Sequence, residues 1–238
     1  MLNKVKKLTK SLFRLCGLDI RRLDQTVDNY NWLEKCNIAS VLDIGANTGQ
    51  FAEKIHKILP DVAIFSFEPL TDCYNELLNR MEYVPKFLAF NFALSNRNGR
   101  TKIYRNDHTP SSSLLPMKEL HKREYPFTEH STAQEIEIRC LDDIIDELNI
   151  DKNVLVKIDV QGTEDMVIRG GKKTISQARI IIIETSFQPL YSGQPLFEDI
   201  YNLLKPNFKY MGSWGKSRIS QLDGSPLFED SIFVNKSS

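Results

Sequence analysis

The sequence lacks a surplus of charge of either sign. Lys plus Arg and Asp plus Glu both number 31 in 238 residues, and a dedicated nucleic-acid binder carries a large positive excess. Paired cysteines are missing too. Cys16, Cys36, Cys73 and Cys140 are scattered with no CxxC and no Cys/His cluster, which excludes a zinc-finger core and reads as free thiols in a reducing compartment. No apolar run approaches the roughly 20 residues that span a bilayer. The first residues lack the apolar core and small-residue cleavage site of a signal peptide, so a cytoplasmic location is expected. Hydrophobic content of 41% and charged content of 26% are those of a globular chain able to bury a full core.

Three glycine signatures are also missing. After the apolar run "SVLDIG", a dinucleotide fingerprint would put glycines where Asn47 and Gln50 stand, counted from Gly45. A phosphate loop would follow Gly49 with Lys and Ser or Thr, but Gln50 and Phe51 come next. A nucleophile elbow would place Ser at Asn47. What is present is Asp43-x-Gly45-x-x-x-Gly49 at one strand end and Glu68 at the end of the next. A carboxylate at Glu68 can accept the two hydroxyls of a ribose, which leaves Asp43 for a cationic group. S-adenosylmethionine has ribose hydroxyls, an ammonium and a sulfonium, and no phosphate. Glycines here would let the backbone approach that ligand.

Strand and helix signals alternate along most of the chain. "SVLDIG", "VAIFSFEP", "KFLAFNFALS", "VLVKIDVQG" and "ARIIIIETS" read as buried strands, with helices predicted near 48–59, over "TDCYNELLNRM", over "TEDMVIRGG" and near "PLFEDIYNLL". Unbroken apolar strands separated by helices indicate a parallel sheet covered on both faces. "FKYMGSWG" and "SPLFEDSIFVNK" are joined without room for a helix, so the sheet is expected to finish with an antiparallel hairpin. Residues 1–38 form a helical extension ahead of a domain over 39–238. An insertion at about 100–140 breaks the alternation: "GRTKIYRN" and "AQEIEIRC" look like a strand pair around a long connection without clear structure. That connection carries His108, His121 and His130; His108 reads as a surface residue rather than a base delivered by the loop. In the extension, Leu2, Val5, Leu8, Leu12, Leu15 and Cys16 recur at helical spacing among lysines. Such a face suits packing on the domain, the preferred reading, or peripheral contact with the inner face of an anionic membrane.

The chain resembles the FkbM family of S-adenosylmethionine-dependent methyltransferases. The matching pieces are "VLDIGANTGQFA", "FSFEPL", "NFALSNRNG", "VKIDVQGTEDMVIRGG" and "IIIETSFQPLYSGQPLFEDI", in order from Ser40 to Leu204. The chain departs from the family at Gln161, where Glu is usual. The resemblance implies a doubly wound, mostly parallel seven-stranded sheet, Rossmann-like, with the last strand inserted antiparallel. It implies methyl transfer to oxygen, commonly a sugar hydroxyl of a glycan, glycolipid or natural product. It assigns Asp43, Gly45, Asn47 and Gly49 to the methionine part of the cofactor, Glu68 to the ribose, and Asn91 or its neighbours Phe92 and Ala93 to the adenine.

Ligands of open α/β sheets sit beyond the carboxyl ends of the strands, which selects Asp159 and Glu184 as candidate catalytic residues. Asp159 is the first choice, as a base or as a grip on an ammonium or hydroxyl. Glu184 follows four isoleucines; desolvation would raise its pKa and suit a base, and a supporting role is equally open. Lys157 shares a side of the strand with Asp159 and is expected to pair with a carboxylate. Glu164 and Asp165 open a helix, where the dipole favours acids. No third hard ligand joins Asp159 and Glu184, so no metal is expected. Tyr125, Phe187, Tyr191 and Trp214 suit either stacking on a sugar or packing. A saccharide or glycoconjugate acceptor is the expected partner. A nucleic-acid substrate is not, since "DVQGTED" has no Pro and aromatic cluster. The alternative is a non-catalytic binding or regulatory module of the same fold.

Overall fold

The structure is a computed structural model that describes residues 30–148 and 150–237. The predicted basic helix of the extension lies outside them. A compact unit spans Leu33–Ser238. Its strands are β1 (Ser40–Ile44), β2 (Ala63–Phe67), β3 (Phe87–Phe90), β4 (Ala93–Leu94), β5 (Gly99–Asn106), β6 (Ser131–Arg139), β7 (Val154–Ile158), β8 (Ile180–Ser186), β9 (Phe208–Ser213), β10 (Arg218–Ile219) and β11 (Pro226–Asn235). Among the helices are α1 (Gln50–Ile58), α2 (Thr71–Met81), α3 (Glu119–Glu124), α4 (Leu141–Ile144), α5 (Glu164–Gly170), α6 (Lys172–Ser176) and α7 (Phe197–Leu204).

The main sheet runs β10-β11-β8-β7-β1-β2-β3, with β9 also on β11. From β3 to β8 every pairing is parallel, and β11 returns antiparallel to β8. This is the doubly wound α/β sheet that the alternating pattern predicts. It has eight strands rather than seven because β11 is long enough for two partners end to end. β9 pairs its Ser231–Asn235 half, and β10 pairs Pro226 and Phe228 at the other. Leu42, Ile44, Val156, Ile158, Ile181 and Ile183 alternate on the inner strands and are fully buried. Burial at roughly 25 cal/mol per Å² of apolar surface makes this the chief stabilising term.

One predicted strand splits. "KFLAFNFALS" reads as a single run, but β3 ends at Phe90 and β4 leaves the main sheet to pair parallel with β6. Asn91 causes the break: its side-chain amide donates to the carbonyls of Glu68 and Pro69 at 2.9 and 3.0 Å. The predicted pair of the insertion forms over its whole length, Gly99 opposite Ile138 through Asn106 opposite Ser131. Ile103, Ile136 and Ile138 pack it on Leu70, Cys73 and Ala93. The connection between these strands is ordered, unlike the expectation of a structureless loop. It contains short helical turns and α3, and it is tied to the tail because Glu124 accepts from Ser220 Oγ and from the Gln221 amide.

Gly45 shows how tightly the strand ends meet. It sits at φ 81°, and a Cβ there would lie 1.9 Å from the Asp159 carbonyl oxygen. Gly193, at φ 80°, has nothing within 4 Å of such an atom. Both substitutions to Ala incur the left-handed penalty of about 1–2 kcal/mol, and only Gly45 adds a backbone collision. Urea unfolding should therefore show Gly45→Ala losing about 3 kcal/mol or more and Gly193→Ala about 1. Equal losses would contradict this packing.

Candidate functional site

The sequence puts polar residues just where apolar strands β1, β2 and β7 run out, and the parallel register gathers them. Asp43 lies opposite Ser66 on one side and Lys157 on the other. A cleft opens over these strand ends. Its wall includes Asp43, Gly45, Asn47, Glu68, Ala93 and Asp159. Phe51, Phe67, Leu94, Ile103 and Leu114 give it an apolar side.

Both cofactor acids are buried. Ser66 Oγ donates to Asp43 Oδ2 at 3.3 Å. Burial raises the Asp43 carboxyl to about 7, against the pull of Lys157 and Ser66. Glu68 is also raised to about 7 by burial, although the amides of Leu70 and Asn47 each donate to it at 2.8 Å. Asn47 reaches that position through a left-handed backbone, φ 47°, which Asn tolerates better than other side chains do. Its side chain donates to Thr109 Oγ1 of the insertion at 3.1 Å.

Gly49 and Asn91 stand behind the wall. A Cβ on Gly49 would meet the Leu77 side chain at 2.7 Å, so this glycine serves the contact of α1 with α2. The Asn91 amide is consumed by the turn after β2. The two glycines are thus demanded by the protein's own backbone and packing, a reason the sequence reading did not find. It also missed Thr109, Pro110, Ser112 and Leu114, which the insertion lays along the cleft. The length and polarity of that connection were the available signal.

A second cluster starts on the cleft wall at Lys157, Asp159 and Gln161 and runs behind it to Glu184 and Asp230. Lys157 Nζ is 3.1 Å from both Asp159 Oδ2 and Asp230 Oδ1 and is nearly fully buried. Burial alone would lower its pKa, but Asp159, Asp230 and Glu184 outweigh that and hold it protonated. Glu184 lies opposite Asp230 across β8 and β11. Its carboxyl is held well above the usual range by burial first, then by Asp159, Glu164 and Asp230. The side-chain amide of Gln161 joins the catalytic candidates, donating to Asp159 Oδ1 at 2.7 Å and to Glu184 Oε1 at 3.1 Å. Glu184 is not part of the cleft wall itself.

Glu164, expected as a helix-dipole acid, is instead a buried clamp on the turn after β7, accepting from the Val160 and Gly162 amides. Among the aromatic candidates, Tyr191 and Trp214 are buried, whereas Tyr125 and Phe187 are half-buried. His108 faces Ser111 and the exposed Phe127 at the outer edge of the insertion.

This donor set suits a cation better than an anion. Among the described residues Lys157 is the one Lys or Arg on the cleft wall, and it is already committed to two carboxylates. A diphosphate would find no counter-charge. A ligand with hydroxyl donors and positive charge would relieve the buried acids, and S-adenosylmethionine is such a ligand.

The Methyltransferase FkbM domain matches residues 43–212. The chain belongs to the FkbM methyltransferase family. It is an enzyme whose cofactor is S-adenosylmethionine. It is 31% identical over 180 residues to the 2-O-methyltransferase NoeI of Sinorhizobium fredii, a match covering 73% of this chain and 74% of that protein. More distant likenesses among solved structures include TehB from Haemophilus influenzae, at 9% identity and a TM-score of 0.46, covering 90% of this chain and 63% of that one. The bifunctional kinase-methyltransferase WbdD matches at 15% identity and a TM-score of 0.48, covering 90% of this chain and 39% of that one.

Burial raises both Asp43 and Glu68 to about 7, and their assignment to the cofactor requires them to give up their protons on binding. S-adenosylmethionine affinity should fall as pH drops from 7.5 to 5.5, by about tenfold per unit for each proton linked. Calorimetry in buffers of different ionisation enthalpy should show proton release near pH 6.5. Affinity flat across that window would contradict the assignment.

Proposed function

We propose that this methyltransferase acts on a hydroxyl oxygen of a saccharide, free or within a glycoconjugate. The observation that carries the reading is the convergence of Asp159 and Glu184 on one amide beside the cofactor cleft. A sugar hydroxyl is a poor nucleophile, and a positioned base contributes about 10²- to 10⁴-fold. The 2-O-methyltransferase named among the relatives supports oxygen as the acceptor atom. The half-buried rings of Tyr125 and Phe187 offer apolar faces of the kind that stack on sugars.

When bound, S-adenosylmethionine supplies an electrophilic methyl group on a sulfonium. Asp43 and Asn47 would hold the methionine part, Gly45 allows the strand ends to close beneath it, and Glu68 would accept the ribose hydroxyls. Gly49 and Asn91 would contribute from behind, by fixing α1 and the turn after β2. Ala93 and Phe67 line the apolar side that suits the adenine. Lys157 is ion-paired with Asp159, and Asp159 would grip the acceptor hydroxyl. Glu184, more basic through burial, would take its proton. Sequence alone placed Asp159 first for that role; the Lys157 ion pair occupies Asp159 and leaves the role to Glu184.

Among the described residues no helix is long and apolar enough to cross a membrane. Peripheral contact of the basic segment Leu2–Cys16 with an anionic membrane is proposed on its composition alone. Co-sedimentation of the full chain with phosphatidylserine vesicles, abolished by Lys→Glu changes at Lys6, Lys7 and Lys10, is the expected result.

Radiolabelled cofactor incubated with polysaccharide, glycolipid, protein and nucleic-acid fractions should label only the saccharide-bearing ones. Glu184→Gln should lower kcat by about 10²-fold or more while the cofactor Kd changes less than about threefold. Label appearing in protein or nucleic acid would overturn the acceptor class, and an undiminished Glu184→Gln would remove the base.

A further inference from the structure

The side chain of Gln161 is engaged at both ends. Its two amide protons go to Asp159 and Glu184, and its Oε1 accepts from the Tyr191 hydroxyl at 3.0 Å. The backbone of Gln161 sits in the left-handed region, φ 56°, where a side chain other than Gly, Asn or Asp is uncommon. Ser113 Oγ pins it there by donating to its carbonyl oxygen. Tyr191 is buried, and its hydroxyl also lies 3.1 Å from the Ser111 carbonyl oxygen and 3.3 Å from His121 Nε2. His121 in turn meets Thr128 Oγ1 through Nδ1 at 3.1 Å. Ser111, Ser113, His121 and Thr128 all belong to the insertion.

We propose that Gln161 is a positioning residue that holds Asp159 and Glu184 in their working arrangement, and that Tyr191 fixes which end of its amide faces them. The inference rests on the reading of Glu184 as the base. Reversing the amide would press its oxygen against two carboxylates and its nitrogen against the phenol. A phenol proton aimed at Oε1 prevents this. Tyr191 has one proton, and Thr128 Oγ1 spends its own on the Tyr125 carbonyl at 2.7 Å, so His121 donates from Nδ1 to Thr128. Burial lowers His121 to about 4, so the ring is neutral and one tautomer can persist at neutral pH.

The amide matters because acids outnumber cations around it. Glu184 is faced by Asp159 and Lys157 from β7, Asp230 from β11, Glu164 from α5 and Tyr191 from the loop after β8. Asp43 on β1 shares Lys157. One lysine faces several carboxylates, and the Gln161 amide adds a donor to two of them, favouring the charged form of Glu184. The insertion, by way of Ser111 and His121, is thereby connected to the reacting end of the site.

Carboxyl-detected NMR titration of the full chain without cofactor tests this directly. Gln161→Met, which keeps the length and loses the donor, should raise the Glu184 midpoint by about one pH unit. Tyr191→Phe should raise it less, and the double variant should match Gln161→Met, because Tyr191 acts through the amide. A midpoint unmoved in Gln161→Met, or shifts that add in the double variant, would overturn the proposal. Should Gln161→Met fail to fold, Tyr191→Phe alone decides: a raised Glu184 midpoint supports the role of the amide and an unmoved one refutes it. Calorimetry with S-adenosylmethionine separates the two levels. No binding by the unaltered chain would remove the methyltransferase site and leave the titration result standing; binding with unmoved midpoints would remove only the role of Gln161.

Discussion

Burying a carboxylate in a protein is unfavourable unless something cancels its charge, and this fold buries several at one end of a single sheet. Asp43, Glu68, Glu164 and Glu184 are all pushed upward by desolvation. Their positions follow from the parallel register, which brings the ends of β1, β2, β7 and β8 to one level. No arrangement of apolar residues would impose that cost; Glu164 meets it by clamping the turn after β7, and the proposed function gives Asp43, Glu68 and Glu184 groups to receive.

The compensations differ from acid to acid, and the differences sort the site into two parts. Glu68 and Glu164 are met by backbone amides, and such donors soften burial without neutralising it. Asp159 and Asp230 have Lys157. Glu184 has only an amide proton at hydrogen-bond distance and a surrounding excess of negative charge, so it is the group most inclined to take a proton. In the proposed function the cofactor side receives a cation and hydroxyl donors, and the acceptor side receives a proton.

Much of this was legible before the coordinates. Apolar runs alternating with helical stretches define the parallel sheet, and Asp43 and Glu68 stand out because each ends such a run. Lys157 and Asp159 share a strand face two residues apart, which anticipates their ion pair. The break at Asn91 was not legible, since "KFLAFNFALS" is uniformly strand-forming and its interruption depends on carbonyls of a distant turn. The insertion's strand pair was legible, but the order of the connection inside it was not. Its order comes from burial of His121 against Tyr191, 70 residues away, and local periodicity carries no trace of such a contact. Gly45 and Gly49 were recognised as special for a ligand, whereas the packing that forbids a side chain there, against Asp159 and Leu77, was not foreseen. Gln161 was visible only as a departure from the family pattern, and its meaning depends on three partners that folding brings together.

The central claim is that two buried acids at adjacent strand ends select a phosphate-free, positively charged nucleoside. A crystal structure with S-adenosylmethionine bound would test it most directly. The account requires Glu68 to lie about 3 Å from both ribose hydroxyls and Asp43 to face the ammonium of the methionine part. A ligand seated elsewhere, with both carboxylates turned from it, would contradict the account.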